Sequence, residues 1–108
     1  MKLNQYQQEK LEEIITVIKQ TTSPLKIILF GSAAAEEMGP DSDFDLLVVI
    51  PDGMSCSETA QDIYRNKIGT GFAADIIVVT ESDLQKYKDS PGLIYQKALD
   101  EGELLYAV

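Results

Sequence analysis

The chain has no histidine and no tryptophan, a single cysteine (Cys56) and a single arginine (Arg65) in 108 residues. Without histidine there is no imidazole general base. Without a Cys/His set there is no zinc centre of the usual kind, and one cysteine allows no internal disulfide. A bound metal would have to be held by oxygen, which points to Mg²⁺ or Mn²⁺. Positive charge is also scarce: 9 Lys and Arg against 18 Asp and Glu give a net charge of −9. Such a chain is poorly suited to bind nucleic acid directly, because phosphate neutralisation needs clustered cations. It suits a basic partner, or a nucleotide that arrives with its metal, and the charge also serves solubility. No apolar run approaches the roughly 20 residues that span a bilayer, so no membrane is expected. The polar start, Met1 to Gln8, lacks the apolar stretch of a signal peptide. A cytoplasmic protein of one domain over 1–108 is expected.

What is present is an alternation of helical and strand patterns. Leu11, Ile14, Ile15 and Ile18 recur at helical spacing, with Leu3 and Tyr6 extending the stripe, and predict an amphipathic helix over about residues 3–21. Lys26–Phe30 and Phe44–Ile50 read as buried strands. Between them Ser32 can cap a short helix to about Met38, followed by a turn at 39–42. Ser55 and Glu58 resemble a capping box opening a helix that buries Ala60, Ile63, Tyr64 and Ile68. Ala73–Val79 is a third strand, and Thr80–Asp83 starts a helix carrying Leu84 and Tyr87. Ser90 and Pro91 open another helix, with Gly102 at its C-terminal glycine position. Leu104–Tyr106 closes the chain. The five tyrosines are expected to pack with their hydroxyls at the surface. The pattern predicts an α/β (α+β) domain with a small mixed sheet flanked by helices.

The chemistry lies at the first two strands. The first ends in Gly31-Ser32, and the second begins with Asp43-Phe44-Asp45. Glycine permits close approach of the backbone, and Ser32 adds a hydroxyl at a helix start, where unpaired N–H groups attract anions. Residues two apart on a strand share a face, so Asp43 and Asp45 project together while Phe44 points the other way. Side-by-side carboxylates on a buried strand repel each other unless a cation lies between them. A solvated turn accounts for Asp41, but poorly for Asp45, which directly precedes an apolar run. If the third strand pairs beside the second, Asp75 can join the same cleft as a third carboxylate and deprotonate an acceptor hydroxyl.

Gly31-Ser32, ten residues, then Asp43-x-Asp45 resembles the signature of the minimal nucleotidyltransferases, small members of the DNA polymerase β-like superfamily. Ser42, the strand after the Asp pair, Ala74-Asp75-Ile76 and the segment from Ser90 to Tyr106 extend the likeness over most of the chain. The resemblance implies a polymerase β-like core and nucleotidyl transfer from ATP or another nucleoside triphosphate. By position, Gly31 and Ser32 would hold the triphosphate. Asp43, Asp45 and Asp75 would be the catalytic carboxylates and bind Mg²⁺. Free-standing domains of this type often act as antitoxins of a helical HEPN-domain toxin, some by transferring AMP to it. The resemblance therefore implies a HEPN/MNT toxin–antitoxin pair with a protein acceptor. The chain departs from the family pattern at Ala33 and Ala35, where arginines are common, and at Glu36. Lys26 and Arg65 are candidate replacements for that charge. Two further readings stay open: a binding module that neutralises its partner by contact, and a subunit of a small-molecule nucleotidyltransferase.

Overall fold

The computed structural model describes residues 3–31, 44–67, 74–88, 90 and 94–108. Helix α1 (Gln5–Thr21) opens on Asn4, whose side chain accepts from the Gln7 N–H while the Gln7 side chain accepts from the Asn4 N–H. This reciprocal pair satisfies two of the donors that a helix start leaves open. Leu11, Ile14 and Ile18 are its buried stripe. Tyr6, expected on that stripe, is instead exposed, with the Lys10 ammonium 5.6 Å from its ring centre. Thr22 ends the helix, as the Thr-Ser-Pro sequence predicts.

The strands are β1 (Lys26–Phe30), β2 (Phe44–Ile50), β3 (Ala74–Thr80) and β4 (Glu103–Ala107). They form one sheet in the order β3-β2-β1-β4. β1 runs antiparallel to β2 and β4, whereas β2 and β3 are parallel, joined through α2 (Cys56–Lys67). A parallel neighbour requires such a crossover, because a tight turn can only reverse the chain. The sheet is therefore mixed, as the pattern predicts.

Strand alternation sends the apolar residues to two cores. Phe44, Leu46, Val48 and Ile50 face α1 and α2, packing with Ile14, Ile18 and Ile63. Leu47 and Val49 face the other way, with Phe30, Val79, Leu84 of α3 (Glu81–Tyr87) and Ala98 of α4 (Ile94–Glu101). Covering both faces explains why β1 and β2 read as continuous apolar runs.

Three details correct the sequence reading. Tyr64 does not send its hydroxyl to solvent: it accepts from the Ile76 N–H at 2.7 Å. In α2, Thr59 and Ile63 are buried, while Ala60 is half-buried and Tyr64 exposed along its ring. Gly102 does follow the end of α4, its N–H donating to the Ala98 carbonyl at 3.0 Å, but not for its left-handed freedom: the positive-φ glycines among the described residues are Gly31 and Gly53. Gly102 is needed for space. A Cβ there would lie 2.7 Å from Ile28 Cγ2 and 2.9 Å from the Leu29 carbonyl, and would overlap the Ala98 carbonyl. Two of those contacts are backbone and cannot yield. Gly102→Ala is therefore expected to destabilise the chain by about 1–3 kcal/mol, as overpacking does, measured as a lower urea midpoint with an unchanged slope. An alanine variant as stable as the parent would contradict this packing.

At the far end of the sheet from Gly31, Asp52 accepts from the Ser82 N–H at 2.9 Å and from the Ser82 hydroxyl. These bonds, the hydroxyl first, hold its carboxyl below the usual aspartate range and join the turn after β2 to the first turn of α3. The segments predicted at 32–42, the Ile68 to Gly71 helix end, and Pro91 to Leu93 lie outside the described residues.

Candidate active site

β1 leaves the sheet at Phe30, and Gly31 follows with φ of 75°. That backbone conformation is open to glycine and strained for side chains with a Cβ. It is also where β2 delivers Asp45, the register partner of Phe30. A Cβ on Gly31 would fall on Oδ2 of Asp45, and would lie 3.1 Å from its Cγ. Both the turn and the carboxylate's position thus depend on this residue having no side chain.

On the other side of β2, Asp45 is the register partner of Asp75 on β3. In parallel strands, register partners present their side chains to the same face. Asp45 therefore shares a face with Leu47 and Val49, and Asp75 with Ile77 and Val79, on the α3/α4 side. Phe44 and Ala74, one residue earlier, pack into the opposite core. Asp45 is half-buried and Asp75 exposed, so the pair lies at the rim of the sheet, where strand ends meet solvent. The condition set for Asp75 holds: β3 pairs beside β2, and the two aspartates are register partners.

Ser32 and Asp43 lie outside the described residues. Among the described residues no group of three metal-ligating side chains gathers; the described carboxylates of the site are Asp45 and Asp75. This donor set suits a hard, partly hydrated divalent cation, which takes carboxylate oxygens and keeps several waters. The space that Gly31 leaves for the Asp45 carboxylate supports the same fit.

The two cations considered as replacements for the missing arginines are elsewhere. Lys26 begins β1 opposite Val49 and Ala107, four residues along the strand from Phe30. Arg65 lies on α2 with its guanidinium 3.1 Å from Asp62, in an exposed pair. Helix α2 covers the α1 side of the sheet, the face opposite Asp45 and Asp75. Neither cation stands at the carboxylate pair.

The family profile "Polymerase beta, Nucleotidyltransferase" matches residues 12–108. The chain belongs to this family. The matched span contains every element that builds the Gly31–Asp45–Asp75 corner. Solved structures share the nucleotidyltransferase fold at low sequence identity. A Sulfolobus solfataricus protein assigned as a nucleotidyltransferase aligns with a TM-score of 0.60 and 18% identity, over 98% of this chain and 90% of that one. A chain of a toxin–antitoxin complex with AMP-PNP aligns with a TM-score of 0.58 and 21% identity, over 90% of this chain and 73% of that one. A chain from the complex of a tri-AMPylated Shewanella oneidensis HEPN toxin with its MNT antitoxin gives 0.56 and 20%, over 94% and 73%. No curated protein matched the sequence. Tyr64 is the residue near this site that sequence reasoning passed over, because its spacing from Ala60 and Ile63 read as one more position of an apolar stripe.

Proposed function

We propose that this chain transfers an adenylyl group from ATP to a side-chain hydroxyl of a helical HEPN-type partner, as the antitoxin of a HEPN/MNT pair. The observation that carries the reading is the Asp45–Asp75 register pair against Gly31, in a chain of the nucleotidyltransferase family. Two structural neighbours support the choice of nucleotide and acceptor: one complex contains AMP-PNP and the other an AMPylated toxin.

In this reading Asp43, Asp45 and Asp75 would hold Mg²⁺, which when bound offsets the charge of the phosphates and of the carboxylates. Gly31 brings the backbone close to the triphosphate, and the Ser32 hydroxyl and N–H groups hold its oxygens. Asp75, the more exposed carboxylate of the described pair, accepts the proton of the acceptor hydroxyl. The hydroxyl oxygen then bonds to the α-phosphorus of ATP, and the bond to pyrophosphate breaks. The surplus of acidic residues suits a basic protein partner and disfavours direct nucleic-acid binding. No described helix is long and apolar enough to cross a membrane, and we assign the pair to the cytoplasm, where ATP is available.

The test is incubation of the chain with its helical partner, Mg²⁺ and ATP labelled at the α-phosphate. Label is expected on the partner, and Asp75→Asn is expected to slow its appearance by about 10²–10⁴-fold, the usual contribution of a positioned base. The rival reading, neutralisation by contact alone, draws on Ala33 and Ala35 in place of phosphate-binding arginines. Tight binding with no label, unaltered in Asp75→Asn, would decide for that rival.

A further inference from the structure

We propose that Tyr64 is a positioning residue for the carboxylate pair: its hydroxyl fixes the outer edge of β3 beside Asp75 and so keeps Asp75 abreast of Asp45. The inference rests on the reading of that pair as a cation- and nucleotide-handling site. Among the described residues β3 is the edge strand of the sheet, flanked by β2 alone. An edge strand leaves its outward backbone groups without ladder partners. At Ile76, the residue after Asp75, that vacancy is filled by a side chain. The Ile76 N–H donates to the Tyr64 Oη at 2.7 Å, and the same hydroxyl reaches the Ile76 carbonyl at 3.4 Å. The tyrosine comes from α2, the crossover that joins β2 to β3, and its ring lies 5.3 Å from the Lys67 ammonium.

The placement matters because of where Asp75 sits. It is the second residue of its strand, directly abreast of a carboxylate of the same sign on β2. Like charges on neighbouring strands push apart, and strand ends are the places that yield. A displacement of about 1 Å at a reacting centre can cost a hundredfold in rate. The ladder to β2 holds one side of β3, and the Tyr64 hydroxyl holds the other side one residue from the carboxylate. Tyr64 touches neither nucleotide nor cation in this account; it acts through the strand.

The test uses Mn²⁺ as the probe, titrated into the intact chain and followed by paramagnetic broadening of backbone amide signals. Amide exchange at Ile76 is measured alongside. Tyr64→Phe keeps the ring and removes the hydroxyl; Ile14→Val thins the core under α1 without touching β3's outer edge. The expected result is that Tyr64→Phe weakens Mn²⁺ binding about tenfold, the usual scale for a group that orients a ligand from behind, and speeds Ile76 exchange. Ile14→Val should lower the melting temperature and leave the affinity unchanged. Wild-type affinity in Tyr64→Phe, with Ile76 exchange accelerated, would overturn the inference and leave the site reading intact. Absence of Mn²⁺ binding by the unaltered chain would instead overturn the site reading, and this inference with it.

Discussion

Gly31→Ala is expected to lower the stability of the chain by about 1–2 kcal/mol, the cost of a Cβ in left-handed backbone, and to reduce nucleotidyl transfer by about a hundredfold. Two effects compete at this position. The φ of 75° is set by the exit of β1 and has no escape short of moving the strand end. The overlap with Asp45 involves the tip of a rotatable side chain, so the carboxylate can swing away. The strain therefore appears as lost stability, and the overlap mainly as a displaced Asp45. For a chain of this length the stability term corresponds to a fall of about 5–15 °C in melting temperature. Thermal unfolding and the labelled-ATP assay measure the two separately. An alanine variant that melts early but transfers normally would show that Asp45 does not depend on the gap at Gly31.

The second large effect is linkage between cation and fold. If Asp45 and Asp75 hold a divalent ion, the folded chain gains about 2.7 kcal/mol when the ion is present at one hundred times its dissociation constant. At about 4–8 °C per kcal/mol, the melting temperature should rise by about 10–20 °C in saturating Mg²⁺ or Mn²⁺. Asp45→Asn is expected to abolish most of that rise. Without cation, Asp75→Asn should melt no lower than the parent and gain a few tenths of a kcal/mol, because like charges abreast on neighbouring strands are unfavourable. Calorimetry with and without Mn²⁺ measures both. A melting temperature that Mn²⁺ leaves unmoved would contradict the cation reading, as would one that moves equally in Asp45→Asn.

Much of this architecture was legible because it rests on local chemistry. Lys26–Phe30 and Phe44–Ile50 are apolar runs bounded by turn residues, and they are the strands β1 and β2 at those bounds. Thr80 caps α3 through the Asp83 N–H, as the Thr-Glu-Ser-Asp sequence predicts. The period of two placed Asp45 opposite in sense to Phe44, and the structure separates them into different faces. What stayed hidden depends on strand partners. Nothing local says that β3 lies beside β2, or that Asp75 meets Asp45 in register. Gly102 shows the same limit: its place at the end of a helix is legible, while the constraint on it, two carbonyls and Ile28, comes from packing. Tyr64 bonds to a strand 12 residues away, a relation that helical spacing does not carry.

The sheet also acts as a partition between two kinds of selection. On β2 and β3 the residues next to the aspartates, Phe44 and Ala74, belong to the core under α1 and α2, on the face away from the site. At the strand starts shape and the proposed chemistry thus fall on neighbouring positions, whereas further along Leu47, Val49 and Val79 fill the aspartates' face with core. A descendant can lose Asp75, which is exposed, at little cost to either core. On the proposed reading, with Ala33 and Ala35 in this chain, positions 31, 45 and 75 are the ones at which substitution would separate transfer from binding.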